Sequence, residues 1–455
     1  MTYISNVFNN LYVLSGIAVL AAYLFSARIY PVIIHLSHKK DLMDEPGERS
    51  MHLDKTPTLG GVGLFITFAL GIILMSIFTE LERSDLVKVL ALVGSTILLL
   101  FLGLKDDLLV ISPKKKFSGQ LLASAIVVFA SDLRILGMDG VFGVGELPYW
   151  ISVLFTIFVF ILIINAFNLI DGIDGLAGGI GILTSAFFGL YFALNGNAFM
   201  ALASFLLIGA LIGFLVHNFS KEQKLFMGDS GSLFTGFIMA YLAVAFLNLN
   251  FLGENLEFPL ENAPIIAIAV LSYPMMDVLR VFIIRIREGR SPFSADRNHI
   301  HHRFLDLGSS HKMASLTIAV TNLTVIAFAL VTQNLYIHFQ LFCCLVFGIA
   351  LYLIPFMLNA NKNLEAMEVP LSNEALEVEF EGMYAKARHL NKTVSSDNYS
   401  IIEKEKKNRP AKILNTATKK QNDTESYFQK KVLHRLRIFQ KVKEKYPKKV
   451  PQENS

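Results

Sequence analysis

Residues Asn165-Ala-Phe-Asn-Leu-Ile-Asp-Gly-Ile-Asp-Gly-Leu-Ala-Gly-Gly179 follow the apolar run Ile151–Ile164 and lead into another apolar stretch. Two carboxylates, two carboxamides and several glycines therefore sit where a membrane helix meets water. Charge beside hydrocarbon is costly, so such groups are functional candidates by default. Glycine removes the side chain and lets a backbone approach a ligand closely. The plainer reading is a Gly-rich turn between helices with Asp as a cap. Further polar clusters of the same character along the chain favour function.

The chain around this stretch is apolar. Of its 455 residues, 53% are hydrophobic and only 17% charged, and its mean hydropathy is +0.50. Soluble domains carry about 25% charged residues. The composition predicts an all-α polytopic membrane protein, since runs of about 20 apolar residues span a bilayer as helices. About eleven spans are expected, near 10–33, 60–79, 87–104, 118–136, 149–169, 180–194, 199–218, 231–250, 263–285, 314–332 and 338–358. The two cysteines, Cys343 and Cys344, fall inside the last span and read as apolar filler. No basic segment precedes the first long apolar run, so a cleaved signal peptide is not expected. A net charge of +4 gives no reason to expect a nucleic-acid partner.

Lys and Arg fix the expected orientation. Loop 38–58 holds Lys39, Lys40, Arg49 and Lys55. Loop 105–117 holds Lys105 and Lys114–Lys116. Loops 219–229 and 285–313 hold Lys221, Lys224, Arg285, Arg287, Arg290, Arg297, Arg303 and Lys312. The intervening loops hold only Arg83 and Lys88. The basic loops face the cytoplasm. The N-terminus is then outside and the C-terminus inside, as an odd number of spans requires. Residues 1–358 form one membrane domain. Residues 359–455 form a polar cytoplasmic tail with 20 Lys and Arg against 13 Asp and Glu. Within it, 427–446 places Phe428, Val432, Leu436, Phe439 and Val442 at helix spacing among basic residues. That pattern suits an anionic membrane surface; a solvated helix without function fits it equally.

All the unusual polar sequence lies in the basic loops. In the first cluster, Arg49 and His52 precede Gly60 and Gly61, a phosphate-binding pattern or an ordinary loop. The second holds Asp106 and Asp107, then Lys114–Lys116 and Gln120. Paired carboxylates at a span end bind a divalent cation or serve as a base; Lys116, nearest the next span, is the ligand candidate of its run. The third is the opening stretch. On a helical turn, Asp171 and Asp174 share a face with Asn168, one turn earlier, giving a strip of oxygen ligands of the kind magnesium prefers. Asn165 is a substrate-binding candidate. The fourth is Asn218 and then Met227-Gly-Asp-Ser-Gly-Ser232, with Asp229 as helix cap or metal ligand. The fifth is Asp296-Arg-Asn-His299-Ile-His301-His302-Arg303. It lacks the ligand spacing of a zinc site and suits a basic phosphate clamp. Acids for a hard cation and bases for phosphates, all at one membrane boundary, point to phosphoryl transfer between a nucleotide donor and a lipid acceptor.

These five clusters, in this order, resemble the polyprenyl-phosphate N-acetylhexosamine-1-phosphate transferases. The resemblance covers residues 1 to about 358. It implies transfer of a sugar-1-phosphate from a UDP-amino-sugar to undecaprenyl phosphate, release of UMP, and use of Mg2+ (or Mn2+). It implies Asp106 and Asp107 as the family's acidic pair, and Asp171 and Asp174 with Asn168 as its central motif. Asp229 is implied as a metal ligand helped by Asn168, and His299, His301 and His302 as the histidine motif. The His-Ile-His-His form and the span count resemble the WecA/TagO-like branch, which uses UDP-GlcNAc to start O-antigen, common-antigen or teichoic-acid synthesis. The peptidoglycan branch, with a UDP-MurNAc-pentapeptide donor, is the alternative. The implied setting is the bacterial cytoplasmic (inner) membrane, multi-pass, with the site on the cytoplasmic face; membrane lipids and a second copy of the chain are the other partners considered.

The mechanism expected is one in-line displacement, with Asp107 orienting or deprotonating the acceptor and Asp171 and Asp174 positioning the nucleotide. His301, His302 and Arg303 would clamp phosphate and sugar. A covalent phospho-sugar intermediate on Asp106 or Asp107 is the alternative. A transporter is the different-class reading; it would carry its ionisable groups near the bilayer midplane, whereas here the clusters fall at span ends on one face.

Overall fold

The computed structural model describes residues 10–44, 56–78, 82–109, 111–253, 256–290 and 298–358. Thirteen helices run through them. They are α1 (Leu11–Lys40), α2 (Gly60–Phe78), α3 (Arg83–Leu109), α4 (Pro113–Ser131), α5 (Tyr149–Ile170), α6 (Leu176–Leu194), α7 (Ala198–Asn218), α8 (Gly228–Leu252), α9 (Ala263–Val270), α10 (Ser272–Arg287), α11 (Ile300–Asp306), α12 (His311–Val331) and α13 (Ile337–Met357). A two-stranded antiparallel pair, β1 (Met43–Asp44) and β2 (Thr56–Pro57), closes the loop between α1 and α2. Arg49 and His52 lie in that loop, outside the described residues. So does the tail from residue 359, with its 427–446 segment.

Local chemistry sets the helix ends. Asn10 accepts from Tyr12 N and Val13 N to cap α1, and His38, Lys39 and Lys40 occupy its last turn, where cations favour the dipole. Pro113 opens α4, where its missing N–H costs nothing. Ser310 caps α12 by accepting from Met313 N.

Nine of these helices are long and apolar enough to cross a membrane, or ten counting α9 and α10 as one bent span. The chain is a multi-pass membrane protein. The expected short span 180–194 is a full helix, Leu176–Leu194, because Gly175, Gly178 and Gly179 sit at its start instead of interrupting it. The expected span 118–136 corresponds to α4, whose first turn carries Lys114–Lys116 and which is not among the nine. The expected span 263–285 is broken at Leu271, and its halves meet at 75°.

α8 is the central element. It packs on α2, α3, α5 and α6, and every residue from Ser230 to Phe246 is buried. Phe101, Leu154, Phe342 and similar residues point outward from the bundle, as hydrocarbon-facing side chains do. Close approach depends on small residues. A Cβ on Gly103 of α3 would collide with the Ser230 backbone of α8.

A polar node holds the bend. Asn322 of α12 accepts at Oδ1 from Ser272 Oγ (2.9 Å), Tyr273 N (3.0 Å) and Tyr352 Oη (3.0 Å), and donates to Val270 O (3.0 Å). It thus serves backbone groups on both sides of the break. Asn322→Ala removes these partners together. The expected loss of stability is about 2–3 kcal/mol, the cost of leaving buried polar groups unmade, read as a lower unfolding midpoint in detergent.

Candidate active site

Four of the five sequence clusters have described residues at one end of the bundle, and the first reaches the site through the entry to α2. Gly60 N and Gly61 N donate to Phe226 O (3.0 Å) and Met227 O (2.9 Å), pinning the loop that precedes α8. Asp107, near the end of α3, accepts Asp229 N (2.6 Å) and Ser230 N (3.1 Å). Its carboxylate therefore caps α8 from a neighbouring helix, and the dipole favours an anion there. Asp106 turns the other way, accepting Ile111 N (2.8 Å) and pairing with Lys116 Nζ (3.0 Å).

Lys116 is the hub. Its ammonium also pairs with Asp229 Oδ2 (2.6 Å) and donates to Asn168 Oδ1 (3.3 Å). Asn168 in turn donates Nδ2 to Asp229 Oδ1 (2.6 Å) and Ser232 Oγ (2.9 Å). Asp229, Asp106 and Asn168 thus surround one positive charge with oxygen donors. That donor set is hard and free of sulfur and suits magnesium or manganese. Asp229 and Asn168 fit as ligands on this ground.

Asp171 and Asp174 do not share a helical face. α5 stops at Ile170, and Asp171 to Gly175 form a tight turn; Gly175 has φ +80°. The turn takes the two acids out of helical register. Asp174 pairs with Lys224 Nζ (2.5 Å) and His311 Nδ1 (3.0 Å), and its carbonyl accepts Ser315 Oγ (2.8 Å). Burial raises its carboxyl, but the bonds from His311 and Lys224 outweigh this and hold it below the usual range. Asp171 is pushed up to about 8, by burial first and then by the charges of Asp229, Asp107 and Asp174.

Two carboxamides have their hydrogen bonds committed to scaffold. Asn165 and Gln120 form a reciprocal amide pair (2.8 and 3.3 Å) joining α4 to α5, and Asn165 also donates to Ile161 O (2.8 Å). Asn218 accepts Gly175 N (2.7 Å) and donates to Leu225 O (2.8 Å), tying the Asp171–Gly175 turn to the approach to α8.

The histidines reach the same place. His301 is buried, and its Nε2 lies against Gly172, so a Cβ there would meet it at 2.5 Å. Burial drives its pKa down to about 3, so the ring is neutral; its Nδ1 has no hydrogen-bond partner among the described residues. His299 stacks on it (5.4 Å, 15°), and His302 lies 4.3 Å from it. Arg303 turns away, donating to Pro355 O (3.1 Å) and Leu358 O (2.6 Å) of the α13 end. Asp277, His299 and His301 bring ligand atoms within 4.8 Å, as a metal site would. Asp277 Oδ2 bonds directly to His299 Nδ1 at 2.7 Å, making a carboxylate–imidazole pair.

Sequence reasoning missed Asp277, Lys224 and His311. Asp277 is a carboxylate inside an apolar run, and the cost of charge in hydrocarbon marks such a residue. Lys224 reads in the sequence only as a topological charge, and nothing in the sequence distinguishes His311. An apolar cavity of about 220 Å³ lies beside the broken span, lined by Phe155, Val159 and Ile163 of α5, Val244 of α8, Ile268 of α9 and Met275 of α10. The acids lie at the end of the same α5.

The two turn acids give opposite pH dependences. Asp171, raised in the fold above its unfolded value near 3.9, keeps its proton as pH rises while the unfolded chain loses it. Stability therefore falls between about pH 4 and pH 8. Asp174, depressed, adds stability that is lost only as pH falls below about 4. In a chelator, the unfolding midpoint should drop from about pH 5 to pH 8.5, and Asp171→Asn should flatten that drop.

The family model described as glycosyl transferase family 4 matches residues 89–247, which run from α3 into α8. The decaprenyl-phosphate N-acetylglucosaminephosphotransferase of Mycolicibacterium smegmatis is 35% identical, over 60% of this chain and 71% of that protein. The probable undecaprenyl-phosphate N-acetylglucosaminyl 1-phosphate transferase of Bacillus subtilis is 30% identical, over 72% of this chain and 87% of that protein. The undecaprenyl-phosphate alpha-N-acetylglucosaminyl 1-phosphate transferase of Escherichia coli (strain K12) is 29% identical, over 63% and 75%. With its acidic, amide and histidine clusters gathered at one end of a helical membrane bundle, the chain belongs to glycosyl transferase family 4, among the polyprenyl-phosphate N-acetylglucosamine phosphotransferases of the WecA/TagO-like group.

Proposed function

We propose that the protein transfers GlcNAc-1-phosphate from UDP-GlcNAc to undecaprenyl phosphate and releases UMP, at the cytoplasmic face of a bacterial cytoplasmic membrane. The observation that carries this reading is the gathering of Asp106, Asp229 and Asn168 around Lys116, at the end of the helix that also lines the apolar cavity. A phosphate site and a hydrocarbon site share α5, as a phosphorylated lipid acceptor requires. The relatives' names support GlcNAc as the sugar. The basic loops support the cytoplasmic placement, and α4 would complete an eleven-span topology with the N-terminus outside.

In this reading an oxygen of the lipid phosphate bonds to the β-phosphorus of the UDP-sugar. The bond from that phosphorus to the bridging oxygen breaks, and UMP leaves with the electron pair. The acceptor's second pKa is about 6, so it arrives mostly ionised. Positioning and charge neutralisation then do most of the catalysis. Lys116 holds positive charge among the acids, Asp107 fixes the loop bearing Asp229, and the Asp171–Gly175 turn meets the nucleotide. Magnesium, held by Asp229 and Asn168, would neutralise diphosphate charge as UMP departs.

Purified protein with undecaprenyl phosphate, magnesium and radiolabelled UDP-GlcNAc should place label in the lipid fraction and UMP in the aqueous one. Chelation should abolish this, and magnesium or manganese should restore it. Asp229→Asn should lower kcat at least about 100-fold in protein that still inserts. Transfer from UDP-MurNAc-pentapeptide and not from UDP-GlcNAc would move the protein to the peptidoglycan branch.

A further inference from the structure

Asp277 is fully buried in α10, half of the broken span. A carboxylate there is costly unless each oxygen is satisfied. Both are. Oδ1 accepts Ile300 N at 2.7 Å, and Oδ2 meets His299 Nδ1 at 2.7 Å. One turn along α10, Arg280 donates to Asn298 O, and its guanidinium lies 3.7 Å from the centre of the Phe356 ring. Three consecutive residues, Asn298, His299 and Ile300, are thus gripped by one face of α10 just where the histidine motif begins.

Capping needs only one of the two bonds. The Ile300 N–H opens α11, and any oxygen acceptor at position 277 satisfies it. The second bond concerns chemistry. A carboxylate only accepts, so His299 donates from Nδ1, and Nε2 is the ring nitrogen that Asp277 does not engage. The ring then stacks on His301, which lies against Gly172, next to Asp171. A line of contact runs from α10 through two imidazoles to the acidic turn.

We infer that Asp277 is a positioning residue for the transfer reaction: its carboxylate fixes the tautomer and direction of His299, so that Nε2 is presented to the phosphates. The inference rests on the transfer reading given above. It assigns the bend at Leu271 a purpose, since a straight span would point α10, and Asp277 with it, elsewhere.

Asp277→Asn separates the two bonds. Its side-chain oxygen still caps Ile300, while its amide offers His299 a donor in place of an acceptor. We expect kcat to fall about 10- to 100-fold, with KM for both substrates within about three-fold. On a His299→Gln background the same substitution should change kcat by less than about two-fold, because the bond is already gone. Full kcat in Asp277→Asn, or an undiminished further loss on the His299→Gln background, would overturn the inference. Nitrogen-15 spectra of histidine-labelled protein, with His299 assigned by its loss in His299→Gln, give a readout independent of folding variants and of turnover. A protonated Nδ1 at His299 supports the pair, and a ring protonated only at Nε2 overturns it. If the wild type transfers no sugar-phosphate, the transfer reading fails, while the spectrum still decides the bond.

Discussion

One ammonium group makes the acidic site tolerable. Asp106 and Asp229 come from different helices, α3 and α8, and their carboxylates would repel each other beside hydrocarbon. Lys116, at the start of α4, lies between them at 3.0 and 2.6 Å. Removing one partner from such an arrangement leaves a charge stranded, which is far costlier than the net worth of the pair. The first turn of α4 is therefore tied to the site, and the Gln120–Asn165 pair one turn deeper holds α4 against α5 in register. Lys116, unlike a merely topological charge, is part of the site.

The scaffold converts backbone into site geometry at a few places. Gly103 lets α3 approach α8 closely enough for Asp107 to reach the amides of Asp229 and Ser230. The Asp171–Gly175 turn takes Asp174 out of helical register with Asp171 and brings it to Lys224 and His311. Asn322 holds a break in a membrane helix that would otherwise leave backbone groups without partners in an apolar setting. Each device brings polar atoms to one end of the bundle while α8, buried along most of its length, anchors the rest.

Much of this was legible in the sequence. Apolar runs predict helices, because a chain in lipid must satisfy its own backbone bonds. The clusters around Asp106, Asn168, Asp229 and His299 are legible because charge beside hydrocarbon is rare without function. Pairings across sequence were not. Nothing in the order of residues says that Asp107 caps α8, that Asn165 meets Gln120, or that Asp174 belongs with His311 and Lys224. Spacing suggests a helical face for Asp171 and Asp174, but the helix ends at Ile170, where Asp171 takes a non-helical ψ of 50°. Arg303, in the middle of a basic motif, turned out to serve the α13 carbonyls, a long-range contact that composition does not encode. The bend at Leu271 was hidden because a broken span and a straight one have the same hydropathy.

The cavity between α5, α8, α9 and α10 is walled almost wholly by hydrocarbon, and it flanks a helix bent by 75°. A ligand whose tail sits there is dissolved in two dimensions. Its effective concentration is its mole fraction among the surrounding lipids, not its amount per volume of solution. Occupancy of such a wall should fall when neutral detergent or lipid is added at constant total ligand, and should be unmoved by diluting the aqueous phase. Saturation by such a ligand would be set by the composition of the sheet in which the protein is embedded.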